Sequence, residues 1–312
     1  MLDVVIPAHE KDIETLDLAI DSLRDSVEDI GEVYVISKDK LTDNAKWIPE
    51  SKFPFSLDDV SNIIGKHWRT CWYYQQLLKL YAQTVEEELS DSILVTDADT
   101  IFLNKIKFID GDVAYYNIGS EHYNPYFEHM SKLVPGLLKQ MPTYSGITHH
   151  MVFQKDIMTS LFGTVEEYHG TEFWKAFLEC TNGKFSSIPE NEDHSGPGRA
   201  SEYEIYFNFS LLGFSKRTKI RKLNSILAYK EYLGESNDSY DIGSRTNDDV
   251  HIKIIEDSPK FDSTEDSLSY AINTCRDRGF DSVTFQKHTR VGIEKYKEDS
   301  LNYIMDEKHV QN

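Results

Sequence analysis

The stretch between Leu2 and Ile36 restricts the fold more than any other part of the chain, because it reads strand, helix, strand. Leu2 to Ile6 is a short apolar run stopped by Pro7, which suits a buried strand. From Asp12 to Val27, apolar residues stand at Ile13, Leu16, Ile20, Leu23 and Val27. Those steps of three and four predict an amphipathic helix. Val33 to Ile36 is a second apolar run, closed by the polar turn Ser37-Lys38-Asp39. A helix between two such strands argues for a parallel βαβ unit and an α/β fold.

Further along, Thr42 to Gly65 has little periodicity and is broken by Pro49 and Pro54. Trp72 to Leu89 predicts a long helix, Ser92 to Thr96 a third buried strand and Val113 to Tyr116 a fourth. Residues 1–120 therefore read as a nucleotide-binding type of α/β half, with loops at the carboxyl ends of its strands. Residues 121–312 read as a more irregular second half of the same domain with a C-terminal extension. Helices are expected near Tyr126–Leu138, Gln154–Leu161, Glu172–Cys180 and Glu202–Leu212. Asn182 to Ala200, rich in Gly, Pro, Asn and Ser, reads as a binding loop or lid, and Asn237 to Asp249 as another loop. The tail from Val291 reads as helical.

The sharpest chemical signal is Asp97-Ala98-Asp99, delivered by the strand Leu94-Val95-Thr96. On an extended chain, residues i and i+2 point the same way. Both carboxylates then reach one cation, or one takes the cation and the other a ribose hydroxyl. Hard divalent ions favour carboxylate oxygen and bridge it to phosphate.

With the opening strand and Pro7-Ala8-His9, this motif resembles the DxD nucleotide-sugar transferases of the glycosyltransferase-A fold. The resemblance extends to Trp72 through Leu80, to Thr148-His149-His150-Met151-Val152-Phe153 and to Ser201-Glu202-Tyr203-Glu204-Ile205-Tyr206. This set is similar to a little-characterised group from bacterial surface-polysaccharide loci and large DNA viruses, over residues 1–215. The resemblance implies a Rossmann-like, mainly parallel mixed sheet flanked by helices. It implies a nucleotide-sugar donor, a glycan or other hydroxyl acceptor, and Mn²⁺ or Mg²⁺. Pro7, Ala8 and His9 would lie against base and ribose, and Asp39 would face the base or ribose. Asp97 would touch the ribose or the metal, and Asp99 would bind the metal directly. His251 and His288 are the candidates for a further metal ligand.

Arg69, Gln76 and Lys79 precede the motif. Gln76 and Lys79 share a helix face, which either offers a cation to the diphosphate or is an exposed helix side. Trp68, Trp72 and Tyr73 read as core aromatics more than as sugar platforms. His149-His150 precedes an apolar run, so one of the pair, His150, reads as a residue at a pocket wall. Ser201-x-x-Glu204 is a capping box, with Ser201 as N-cap and Glu204 reaching back to its amide. That frees Glu202, facing outward in the first helical turn, to act as the general base of an inverting transfer. Asp193 and His194 are weaker alternatives.

Charge and length narrow the function classes. Lys plus Arg number 33 and Asp plus Glu 53, a net charge of −20, which argues against nucleic-acid and anionic-lipid partners. No apolar run approaches the ~18–20 residues of a membrane span. The chain has 312 residues, 39% of them apolar, enough for a large core. Cys71, Cys180 and Cys275 form no CxxC pair and read as buried thiols of a reducing compartment. The N-terminus reads as a strand and not as a signal peptide, so a cytoplasmic location is expected, bacterial or in the host of a virus. Three other functions compete. A haloacid-dehalogenase-like phosphatase wants Thr or Val two residues after the second Asp, where Ile101 stands. A nucleotidyltransferase wants a Gly-rich basic loop, which His9-Glu10-Lys11-Asp12 does not provide. A non-catalytic carbohydrate-binding protein would tolerate the loss of Asp99.

Overall fold

The structure is a computed structural model. It describes residues 1–66, 69–119, 121–181, 199–233, 237–241, 243–245, 251–253 and 264–286. The strands are β1 (Leu2–Pro7), β2 (Ile30–Ser37), β3 (Lys46–Pro49), β4 (Ser92–Thr96), β5 (Thr100–Phe102), β6 (Ile109–Asp110) and β7 (Val113–Asn117). They continue with β8 (His150–Gln154), β9 (Thr218–Arg221), β10 (Ser225–Leu233), β11 (Asn237–Asp241), β12 (Gly243–Arg245), β13 (His251–Lys253) and β14 (Ser282–Gln286). The helices are α1 (Ile13–Ser26), α2 (Leu57–Ile64), α3 (Thr70–Val85), α4 (Asn124–Leu133), α5 (Lys155–His169), α6 (Phe173–Glu179), α7 (Glu202–Gly213) and α8 (Thr264–Asp277).

The main sheet has the order β3-β2-β1-β4-β8. β1 pairs in parallel with β2 and β4, and β2 in parallel with β3, as the βαβ reading requires. β8 is antiparallel to β4, with Leu94 opposite Val152 and Thr96 opposite His150. The fold is thus mixed α/β, with a mainly parallel sheet flanked by helices. The expected fourth strand, Val113–Tyr116, exists as β7 but pairs with β6 and β9 in a separate small sheet. Its place beside β4 is taken by β8, whose five residues are all buried.

Two packing patterns position the site. α1 buries Leu16, Ile20 and Leu23 as its spacing predicts. α3 buries nearly all its faces, including the polar residues Gln76, Lys79 and Gln83. These follow at steps of three and four, so they form one polar stripe along the helix. Gln83 Nε2 donates to the Ser90 carbonyl (2.9 Å), and the other two meet the site.

Beyond residue 215, β11-β10-β14-β5 form a second sheet. α8 packs Leu268, Ala271, Ile272 and Cys275 into a cluster with Ile226, Ala228, Val283 and Phe285. β5 is antiparallel to β14, with Thr100 opposite Thr284. The Asp97–Asp99 segment therefore links the two sheets. Part of Asn237–Asp249, expected to be loop, is strand in β11 and β12. Trp68, residues 182–198 with Asp193 and His194, His288 and the tail from Val291 lie outside the described residues. The three cysteines form no disulfide among the described residues, with Cys275 buried and the other two half-buried.

Candidate active site

The chain leaves β1 for β2 and β3 on one side, then returns to β4 on the other. In open α/β sheets, ligands bind at such a switch point, outside the carboxyl ends of the strands. Two adjoining cavities lie there. The larger, about 460 Å³, is walled by Pro7, Ala8 and His9 from the end of β1, Ile36 from β2, and Cys71, Tyr74 and Leu78 from α3. The smaller, about 240 Å³, holds Lys79, Asp97, Asp99, His149 and Glu202. Lys11, Asp12, Trp72 and Gln75 line both, so they form the seam between them.

The loop after β1 is fixed by its own polar groups. The Ala8 amide donates to the Ile36 carbonyl (2.9 Å). The His9 amide donates to Asp12 Oδ2 (3.0 Å), and His9 Nδ1 accepts from the Lys11 amide (3.2 Å). Burial, then the Lys11 charge, lowers the His9 pKa. Asp39 is exposed and lines a small recess with Ala8, His9 and Glu50, at the rim of the larger cavity and not in its wall.

Asp97-Ala98-Asp99 is a turn and not an extension of β4. The Thr100 amide donates back to the Asp97 carbonyl (3.2 Å). The two carboxylates therefore have different surroundings. Asp97 Oδ1 accepts from Lys79 Nζ at 2.6 Å, and Oδ2 from His149 Nδ1 at 3.1 Å. Burial alone would raise its pKa, but Lys79 and then His149 hold the carboxyl well below the usual range. Asp99 Oδ1 is buried and makes no hydrogen bond. Burial, then the nearby Asp97 charge, pushes the Asp99 pKa up to about 7. Of the alternatives open to the pair, these surroundings favour the one in which the two acids differ, with Asp99 and not Asp97 turned to a cation. Asp97 is committed on both oxygens to nitrogen donors, and Asp99 alone offers an unpartnered oxygen. Among the described residues, no three His, Cys, Asp or Glu side chains group as a metal site. Asp99 fits a cation whose other ligands come from a bound molecule. His251 stands in β13.

Lys79 Nζ also donates to Glu202 Oε1 (2.8 Å) and to the Tyr203 hydroxyl (3.2 Å), so its three protons are used. Burial opposes its charge, yet Asp97 and Glu202 raise its pKa well above the ordinary value. The Glu202 amide donates to Gln76 Oε1 (3.0 Å). Gln76 and Lys79 are therefore neither a diphosphate clamp nor an exposed side; they tie α3 to the start of α7. Glu202 is not outward-facing but 5% exposed and ion-paired. Arg69 lines neither cavity and lies over the Trp72 ring, 5.5 Å from its centroid.

The capping box is half right. Ser201 Oγ accepts from the Glu204 amide (3.3 Å). The Glu204 carboxylate, however, turns into the core and accepts from the Ser145 hydroxyl, the Gly146 amide (3.2 Å) and Asn208 Nδ2 (2.7 Å). Burial raises its pKa. A Cβ on Gly146 would lie 2.6 Å from the Phe207 Cβ, so glycine permits this segment to pack on α7.

His150 is corrected too. It is buried between Phe102 and Phe108, edge-on to both, beside Asn117. Burial, then Arg221, pushes its pKa down to about 3. Its neighbour His149 faces the cavity instead, with a left-handed backbone (φ +59°). Alternation along a strand decides which of two adjacent residues faces in, and the start of β8 was not legible. Sequence reasoning also missed Lys11, Gln75, Glu121 and Tyr126 in the cavity walls. Trp72, read as a core residue, stands at the seam, stacked on Tyr126 at 6.3 Å between centroids.

No protein-family model matches the chain, and no curated protein matches its sequence. Among solved structures, it is similar to the galactosyltransferase LgtC in complex with donor and acceptor sugar analogues. That match has a TM-score of 0.32 and 12% identity over 57% of this chain and 70% of that one. Mouse xyloside xylosyltransferase 1, apo form, aligns with a TM-score of 0.38 and 10% identity over 70% of this chain and 84% of that one. An active-site mutant of LgtC aligns with a TM-score of 0.40 and 11% identity over 92% and 88%. These neighbours are glycosyltransferases; similarity at this level carries no argument about the activity of this chain.

Proposed function

We propose that the chain is a cation-dependent glycosyltransferase that moves a sugar from a nucleotide diphosphate donor to the hydroxyl of a glycan or other acceptor, with inversion. The observation that carries this reading is the pair of adjoining cavities at the switch point, with the unpartnered Asp99 oxygen in the smaller one. The larger, mostly apolar cavity suits a nucleoside. The seam, with Lys11 and Gln75, suits a diphosphate. The smaller polar cavity suits a sugar and the incoming hydroxyl. A divalent cation at Asp99, Mn²⁺ or Mg²⁺, would offset charge on the leaving diphosphate. The chain's own residues would do the rest: Pro7, Ala8 and His9 hold the nucleoside, and Lys79 fixes Asp97 and Glu202.

Thermal unfolding with UDP, GDP, CDP and ADP tests it. At ~100 times its Kd, a ligand bound only by the folded state adds about 2.7 kcal/mol. One nucleotide should stabilise the protein with Mn²⁺ and lose that effect with a chelator. Equal stabilisation in both conditions, or none by any nucleotide, contradicts the reading.

A further inference from the structure

We propose that His149, paired with Asp97, is the general base that takes the proton of the attacking hydroxyl, and that Glu202 is a positioning residue. This deepens the transferase reading and rests on it. His149 binds Asp97 through Nδ1 at 3.1 Å. A carboxylate on Nδ1 fixes the tautomer with hydrogen there and leaves the lone pair on Nε2. Nε2 has no hydrogen-bond partner among the described residues and is not among the sealed polar atoms. The ring lines the same small cavity as Asp99.

The pair is held firmly. The Asp97 amide donates to the His149 carbonyl (3.1 Å), so backbone and side chain join the same two residues. His149 keeps a left-handed conformation that non-glycine residues rarely adopt (φ +59°). Such strain persists where the surroundings over-determine it.

Access separates the two candidates. A proton on His149 creates an imidazolium whose charge Asp97 balances across the Nδ1 bond. Glu202 already accepts from Lys79 at 2.8 Å and its side chain is 6% exposed, against 25% for His149, so the imidazole is the one open to an incoming hydroxyl. In the step, the hydroxyl proton passes to His149 Nε2 and the hydroxyl oxygen bonds to the anomeric carbon. The bond from that carbon to the diphosphate oxygen breaks, and its electron pair leaves with the nucleoside diphosphate. His149 then gives its proton to solvent.

The test uses the full chain, Mn²⁺, and UDP-glucose, UDP-galactose, UDP-xylose and GDP-mannose, with water as the acceptor. His149→Asn is the clean variant: Asn tolerates the left-handed backbone and its amide keeps the Asp97 bond, but it has no second ring nitrogen. Its kcat should fall about 10²–10⁴-fold, with nucleoside diphosphate affinity unchanged. His149→Gly should lose the same activity and regain part of it with added imidazole. A His149→Asn variant with unchanged kcat overturns the assignment, as does lost kcat without imidazole rescue. So does a first-formed sugar anomer with retained configuration. A wild-type protein that turns over no donor overturns the transferase reading, and this assignment with it.

Discussion

Lys79 and Glu202 stand 123 residues apart in the chain and meet at 2.8 Å inside the protein, with Asp97 on the other side of the same ammonium at 2.6 Å. One buried cation thus holds α3, the end of β4 and the start of α7 at a single point. Removing one partner of such a pair leaves an uncompensated buried charge. Lys79→Met should therefore destabilise the protein by about 3–5 kcal/mol. Urea unfolding measures it; a loss below about 1 kcal/mol would show that the pairing contributes little.

Glu204 accepts three hydrogen bonds and caps nothing with its carboxylate. Glu204→Gln puts an NH₂ group among donors, so at least one buried donor loses its acceptor. The cost should be about 1–3 kcal/mol in denaturant unfolding. An unchanged midpoint would show that these three bonds contribute little to stability.

Acid should unfold the protein through its buried imidazoles. Burial pushes His150 down to about 3, and it pushes His129, buried on α4 with Nε2 against the Phe177 carbonyl (2.7 Å), down to about 4, both from an ordinary 6.5. The unfolded chain then binds more protons than the folded one below pH 6.5. Stability from these groups is full above pH 6.5 and is lost as pH falls through the window to 4 and 3. The low pKa of Asp97 adds in the same direction. Asp99, pushed up to about 7, and His149, raised by its bond to Asp97, work in the opposite direction over the same window and offset part of this, so the net loss by pH 4 should be about 1–3 kcal/mol. A melting temperature constant from pH 7 to 4 would contradict it.

What the sequence made legible, and what it hid, follows from the range of each interaction. The βαβ unit, α3 and β4 depend on local periodicity, and Leu16, Ile20 and Leu23 announce their burial. The Ser201 cap is equally local. β8 beside β4 is a pairing between residues 150–154 and 92–96, which no local pattern encodes. Lys79, Asp97 and Glu202 stand out in the sequence, and His149 is the neighbour of the His150 that it favours, but their roles depend on who faces whom. Asp97 and Asp99 look equivalent in sequence, and a turn in place of an extended strand makes them different. β3 and α2 escaped because two prolines masked the short elements between Thr42 and Gly65.

Cys71 lines the larger cavity and is half-buried. A nucleotide bound there should slow its alkylation by N-ethylmaleimide in the presence of Mn²⁺. Peptide mapping by mass spectrometry separates Cys71 from Cys180, which lines neither cavity and serves as the internal control. Equal labelling of Cys71 with and without nucleotide would remove the nucleoside from this cavity.

The most direct test of the transferase reading is release of nucleoside diphosphate from a panel of nucleotide sugars, in Mn²⁺ and in chelator, for the wild-type protein and Asp99→Asn. The expected result is release from one donor class in Mn²⁺ by the wild-type protein, abolished by the chelator and by Asp99→Asn while the variant stays folded. Release that neither the chelator nor Asp99→Asn affects, or no release from any donor, would contradict it.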